Sequence, residues 1–160
     1  MKSSTKKKSG KNKHQKSLLP VYCVLFLTLI AFPTLAKTFT PRLLGHTAGT
    51  AFHAVSVSGN YAYVAAGNGL AIFNVSNPEK PTLTGRCGTP GSTRGVYISG
   101  STAYVAGGYG GLQIIDISNP KAPVLLGSYD TPDFAIGVYV SGNTAYVADR
   151  GSGLQIMDVQ

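Results

Sequence analysis

The chain has 160 residues, enough for one domain of ordinary size. Its formal net charge of +8 comes from the amino-terminal region, because seven of the 14 basic residues precede residue 17 and no acidic residue lies there. From Lys37 onward, seven basic residues face six acidic ones. Because this part of the chain is so close to neutral, it lacks the basic surface of a nucleic-acid-binding domain. We therefore expect no nucleic-acid partner.

The first 36 residues are predicted to be an export signal. A basic segment, residues 1–17, precedes an uncharged apolar run, residues 18–36, that ends in small residues at Ala36. This order is typical of a secretory signal peptide cleaved after Ala36. The alternative is an uncleaved anchor with a cytoplasmic amino terminus, since the run is just long enough to span a bilayer. We favour cleavage because Pro33 interrupts the run, and we expect a secreted, periplasmic or cell-surface protein that meets a membrane only if residues 18–36 stay attached.

Residues 37–160 repeat one pattern three times at intervals of 42 residues. Self-similarity at a period near 40 residues is typical of architectures whose units bury their apolar faces only against one another. The shared motif is a glycine and a leucine followed by alternating apolar residues, at positions 69–74, 111–116 and 153–158. The units themselves are placed at about residues 41–85, 86–127 and 128–160.

Each unit is predicted to hold four short antiparallel strands. The first leads into a Ser-Gly hairpin, the second carries the sequence Ala-Tyr-Val-Ala, the third ends in Asp or Asn, and the fourth follows an Asn-Pro turn. In the first complete unit these elements are residues 55–60, 61–65, 69–74 and 82–85. Four strands in about 42 residues is the size of a propeller blade. The predicted fold class is therefore all-β, a β-propeller of four-stranded blades; a β-sandwich would not repeat in fixed phase, and a parallel β-helix needs shorter coils.

These motifs resemble those of a known family. The Leu-x-Ile-x-Asp strand, the Ala-Tyr-Val-Ala strand and the Asn-Pro-x-x-Pro turn are together similar to the LVIVD repeat, over essentially all of residues 38–160. The resemblance implies a secreted or surface-associated β-propeller, of a kind found mostly in bacteria and archaea and usually without an assigned activity. The first unit departs from the pattern at Asn74, where the other two have Asp.

The number of strands predicts three blades. Residues 40–45 align with residues 80–85 and are predicted to form an additional fourth strand, which gives 12 strands in all. Closed propellers have from four to eight blades. Either the chain is a piece of a longer protein, which we favour, or two sets of three blades pair into a six-bladed assembly. In both cases the exposed blade edges favour self-association.

The loops of the units fall on two faces of the predicted disc. The face with the hairpins between the first and second strands and the Asn-Pro turns is nearly the same in all units, and we name it the uniform face. The opposite face, named the variable face, carries the loops between the second and third strands and the links between blades. Because function usually lies on variable loops held by a rigid scaffold, four residues there are predicted to bind a partner: His53, Arg94, Tyr109 and Arg150. The alternative is that these residues serve only turn formation and solvation.

The remaining polar residues are assigned structural roles. Asp116 and Asp158 end a third strand before the turn, and their carboxylates are expected to accept hydrogen bonds from turn amides, as Asn74 can also do. Cys87 is expected to be a small buried apolar residue on a strand.

The acidic loop residues are not expected to bind a metal. Asp130, Asp133 and Asp149 follow no calcium-loop spacing and are expected to be solvated. We expect no metal and no cofactor.

The sequence favours a non-catalytic exported module for protein interaction or adhesion at the cell surface, with an unknown protein or a surface glycan as partner. An enzyme with a site in the central channel is the first alternative, since many propellers are enzymes. We assign no catalytic residue, because no unique carboxylate pair, activated nucleophile or metal cluster is readable. The second alternative is a purely structural array.

Overall fold

The computed structural model describes residues 41–47 and 51–160. The predicted signal peptide, residues 1–36, lies outside the described residues. The repeats lie within one compact unit, Arg42–Gln160. In the described part of the chain, no helix has both the length and the apolar character that crossing a bilayer requires.

The repeats form three antiparallel sheets, as the sequence predicts, and we name them blades 1, 2 and 3. Blades 1 and 2 have four strands in chain order, and blade 3 has three, with β10 in its centre. Across the described residues the strands are β1 Phe52–Ser58, β2 Tyr61–Ala66, β3 Gly69–Asn74, β4 Thr82–Gly88, β5 Gly95–Ser99, β6 Thr102–Ala106, β7 Leu112–Asp116, β8 Val124–Tyr129, β9 Ala135–Ser141, β10 Thr144–Asp149 and β11 Leu154–Asp158.

Tight hairpins on the uniform face set the register of the first two strands in every blade. Gly59, Gly100 and Gly142 lie at the tips with φ of 55°, 57° and 56°, a conformation that glycine adopts without strain. The strands then pair residue for residue, for example Ser58 with Tyr61. The Ser-Gly signal in the sequence therefore predicted the turns correctly.

The blades pack face to face, and both apolar faces of blade 2 are covered by its neighbours. Leu70 and Ile72 of blade 1 form one buried cluster with Val105 and Ile115 of blade 2. The opposite face of blade 2 forms a second cluster with blade 3, which includes Leu112 and Val147. Alternation along each strand sends successive side chains to opposite faces, so that a middle blade contributes to both clusters.

The predicted leading strand at residues 40–45 was wrong for its described part, because residues 41–47 have irregular backbone. The described chain thus has 11 strands rather than 12. A strand needs a hydrogen-bonded partner, and no described strand pairs with this segment. Its position nevertheless follows the repeat. A side-chain carbon at Gly45 would collide with the carbonyl oxygen of Pro78, as one at Gly85 would with that of Pro120 in the next blade. Residues 42–45 therefore take the place of an outer strand before blade 1.

Candidate binding site on the variable face

The candidate site is built around the side chain of Phe134, in the link between blades 2 and 3. Two hydrogen bonds pin this link to the loop between β6 and β7: the Gly108 amide donates to the Ala135 carbonyl and the Ala135 amide to the Gly108 carbonyl, each at 3.1 Å. The Phe134 side chain lies directly on this loop, since a side-chain carbon at Gly108 would collide with it. Gly108 also has φ of 61°, which a larger residue would adopt only with strain. The aromatic group is thus held on a fixed backbone.

Three predicted binding residues surround Phe134. The Tyr109 side chain meets it edge to face, with 4.8 Å between centroids and an interplanar angle of 86°. The guanidinium carbon of Arg94 lies 5.3 Å from the Phe134 centroid, and that of Arg150 lies 5.0 Å from it. Both distances are within the range of cation–π attraction. One phenyl group therefore gathers two positive charges from loops of different blades.

The fourth predicted residue joins through Arg94. Nη1 of Arg94 lies 3.4 Å from both Nδ1 and Nε2 of His53, across the boundary between blades 1 and 2. His53 and Arg94 occupy equivalent positions of successive units, although His53 lies within β1 and Arg94 directly before β5. The Nε atom of Arg94 is buried and has no hydrogen-bond partner within the described residues. The structure therefore places all four predicted residues in one group.

Arg150 is presented by an unusual backbone. It follows β10 in a short 3₁₀ turn, Arg150–Ser152, and has φ of 35°. Within residues 41–47 and 51–160, no other residue except glycine has positive φ. The Gly151 amide donates to Asp133 Oδ2 at 2.9 Å and fixes the turn. Strained backbone of this kind is often found where a side chain is positioned for function.

The buried carboxylate of Asp149, directly before this turn, connects it to the link between blades 2 and 3. Asp149 has no exposed surface and accepts hydrogen bonds from Thr131 Oγ1 at 2.9 Å and from the Asp133 amide at 3.0 Å. The prediction that Asp149 is solvated was wrong, because the link folds over the end of β10. In the described part of the chain, no three His, Cys, Asp or Glu side chains form a group able to hold a metal ion. These acidic residues connect loops.

The sequence reasoning missed Phe134 and two glutamines. Phe134 stands where the preceding link has Ser92, and this exchange was the available signal. Gln113 is buried and its Nε2 donates to the Gly110 carbonyl, while Gln155 Nε2 donates to the Ser152 carbonyl at 2.8 Å. These side chains stabilise the two loops that carry Tyr109 and Arg150.

The uniform face uses its polar groups within the turns. The Ser76 amide donates to Asn74 Oδ1 at 2.9 Å, the Ser118 amide to Asp116 Oδ1 at 2.8 Å, and the Gln160 amide to Asp158 Oδ1 at 3.2 Å. Hydrogen bonds from the backbone and side chain of Ser118 lower the pKa of Asp116 below its ordinary value. A neutral amide at Asn74 makes the same contact as the carboxylates, so the contact is structural.

Cys87 is a buried free thiol in the cluster between blades 1 and 2. Burial raises the pKa of this thiol above its ordinary value. A hydrogen bond with the backbone of Leu125 lowers the pKa by a smaller amount. A raised pKa disfavours the reactive thiolate at neutral pH.

Comparison with known proteins identifies the repeat. The sequence model of the LVIVD repeat matches residues 48–89, 90–131 and 134–159. The chain belongs to the LVIVD repeat family. No curated protein matches this LVIVD chain.

Solved structures share the fold of this LVIVD chain. A protein of unknown function from Desulfotomaculum acetoxidans DSM 771 is 22% identical, with a TM-score of 0.59 over 69% of this chain and 40% of its own length. The computationally designed protein Ika8 is 11% identical, with a TM-score of 0.56 over 68% of this chain and 33% of its own length. The chain thus spans less than half of either structure, and likeness at such identity shows the fold alone.

Proposed function

We propose that this LVIVD repeat protein is an exported, non-catalytic binding or adhesion module, and that it engages its partner through the variable face. One observation carries the proposal: Arg94 and Tyr109 from loops at blade 2 and Arg150 from blade 3 surround Phe134. The export and cell-surface part depends on the signal predicted at residues 1–36.

The chemistry of the cluster favours an anionic partner. The guanidiniums of Arg94 and Arg150 lie against aromatic groups. These contacts leave N–H donors of both side chains able to bind an anionic ligand. Arginine presents a planar fork of donors that matches a carboxylate with two parallel hydrogen bonds. Tyr109 is 72% exposed beside them and offers an apolar surface for the body of a ligand. These features together suit a carboxylate-bearing glycan of a cell surface.

The test is binding of polygalacturonate, a carboxylate-bearing polysaccharide, with neutral dextran for comparison. The double variant R94A/R150A is expected to bind polygalacturonate at least about tenfold more weakly, as expected for a pair of central arginines. The matched control is K80A/K121A, which removes the same number of positive charges from the uniform face. Titration calorimetry at low ionic strength measures the affinities, because screening weakens exposed charge pairs.

Three results would contradict the proposal. The protein binds dextran as well as polygalacturonate, it binds neither, or both double variants lose affinity equally. Binding of poly-L-glutamate in preference to polygalacturonate would assign an acidic protein as partner in place of a glycan. Thermal unfolding of each variant checks that the blades remain folded.

A further inference from the structure

The contact between His53 and Arg94 depends on the protonation state of the imidazole ring. Nη1 of Arg94 lies 3.4 Å from both ring nitrogens of His53. A guanidinium group only donates hydrogen bonds, and a neutral imidazole has one nitrogen that accepts them. A protonated imidazole has two donors, no acceptor and a positive charge. The contact is therefore attractive with a neutral ring and repulsive with a protonated one.

In the part of the chain that the structure describes, no carboxylate contacts His53. His53 is the only titratable residue of β1, and the surrounding strands β2, β3 and β5 carry tyrosines as their only titratable residues. The groove beside His53 also borders segment 41–47, whose two titratable residues are both basic. The groups concerned are Tyr61, Tyr63, Tyr97, Arg42 and His46. Arg94 is thus the charged group that responds when His53 gains a proton.

Two acidic residues of the variable face serve a neighbouring loop instead. Asp133 accepts a hydrogen bond from the Gly151 amide, and Asp149 accepts from the Thr131 hydroxyl and the Asp133 amide. Both carboxylates fix the turn that carries Arg150. The candidate site thus holds two permanent positive charges, on Arg94 and Arg150, and a third on His53 that depends on pH.

We propose that protonation of His53 strengthens anion binding at the variable face, so that the protein holds a polyuronate more tightly in mildly acidic surroundings. This inference rests on the proposed function. A carboxylate between the guanidinium of Arg94 and a protonated ring of His53 accepts hydrogen bonds from both and removes their repulsion. With a neutral ring, the anion gains only the arginines. Because histidine ordinarily titrates at about pH 6.5, the change falls between neutral and mildly acidic conditions.

The coupling between proton and anion has a definite sign. If protonation of His53 makes anion binding tighter, a bound anion makes proton binding tighter by the same factor. The affinity for the anion is therefore highest where the free protein already holds the proton, and it falls as the pH rises until neither state holds it. Carboxylates ordinarily stay ionised above about pH 5, so a polyuronate keeps its charge over this range.

The ratio of the affinities for polygalacturonate at about pH 5.5 and about pH 8 tests the proposal. The full chain, purified as the producing cell delivers it, is titrated by calorimetry at low ionic strength. The wild type is expected to bind about three- to fivefold more tightly at the lower pH, as one additional exposed charge pair would give. His53→Gln keeps a polar group but takes up no proton, and is expected to show no such gain. The matched control is His46→Gln, which is expected to keep the wild-type ratio.

Proton uptake provides a second measurement that does not depend on comparing affinities. Calorimetry at about pH 6.5, in buffers that differ in ionisation enthalpy, counts the protons that accompany binding. The wild type is expected to take up a fraction of one proton for each site filled, because the bound anion favours the protonated ring. His53→Gln is expected to take up none. Thermal unfolding checks that both histidine variants remain folded.

The outcomes separate this inference from the proposed function. If the wild type binds polygalacturonate and R94A/R150A weakens that binding, but the affinity is the same at both pH values, only the role of His53 is overturned. The same holds if His53→Gln keeps the gain at low pH, if His46→Gln loses it equally, or if binding takes up no proton. Absence of binding at both pH values overturns the proposed function, and this inference with it.

Discussion

Strands β7 and β11 have almost the same sequence and different surroundings. β7 reads Leu-Gln-Ile-Ile-Asp and β11 reads Leu-Gln-Ile-Met-Asp. Leu112 in β7 is 1% exposed, and its counterpart Leu154 in β11 is 61% exposed. β7 has a strand on both sides and blade 3 against its face, whereas β11 is an edge strand. Burial in this fold is thus decided by the neighbouring blade rather than by the strand's own residues.

Truncating the two leucines should show this difference most strongly. Leu112→Ala leaves a cavity between blades 2 and 3 and is expected to lower the free energy of unfolding by about 2–5 kcal/mol. Leu154→Ala removes mostly exposed surface and is expected to cost less than about 0.5 kcal/mol. Urea unfolding of dilute, monomeric protein gives both values. Equal losses for the two variants would contradict the assignment of the faces.

Two glycines on outer strands, Gly85 and Gly127, repeat the comparison between a covered and an uncovered position, with a smaller expected effect on stability. An added carbon at Gly85 in β4 would collide with the Pro120 carbonyl of blade 2, while one at Gly127 in β8 would meet nothing within 4 Å. Gly85→Ala is expected to cost about 1–3 kcal/mol through overpacking. Gly127→Ala is expected to be neutral or to stabilise by up to about 1 kcal/mol, because alanine restricts the unfolded chain. Thermal unfolding of the pair measures this; a destabilised Gly127→Ala variant in dilute protein would argue against open space beside β8.

The repeat made most of the fold readable from the sequence. The Gly-Leu motif fixed the phase of the third strands, and Gly59 with its two counterparts fixed the hairpins. Such local signals report backbone conformation, which is set within a few residues. The same signals failed at residues 40–45, where a strand-like sequence has no partner strand beside its described part.

The site was readable only in part. The variation among the loops of the variable face predicted Arg94 and Arg150 as binding residues. In the structure both lie against the phenyl group of Phe134. Phe134 was missed and Asp149 was wrongly predicted to be solvated, because their roles arise from contacts between loops that lie far apart in the sequence. No period or motif reports such contacts.

The central claim is that each blade is stabilised by the blade beside it, and hydrogen exchange of β7 and β11 tests it most directly. Since the two strands differ by one residue, their intrinsic exchange rates are nearly equal. In dilute monomeric protein, the β7 amides are expected to exchange at least about 100-fold more slowly than those of β11. Equal protection of the two strands under those conditions would contradict the account.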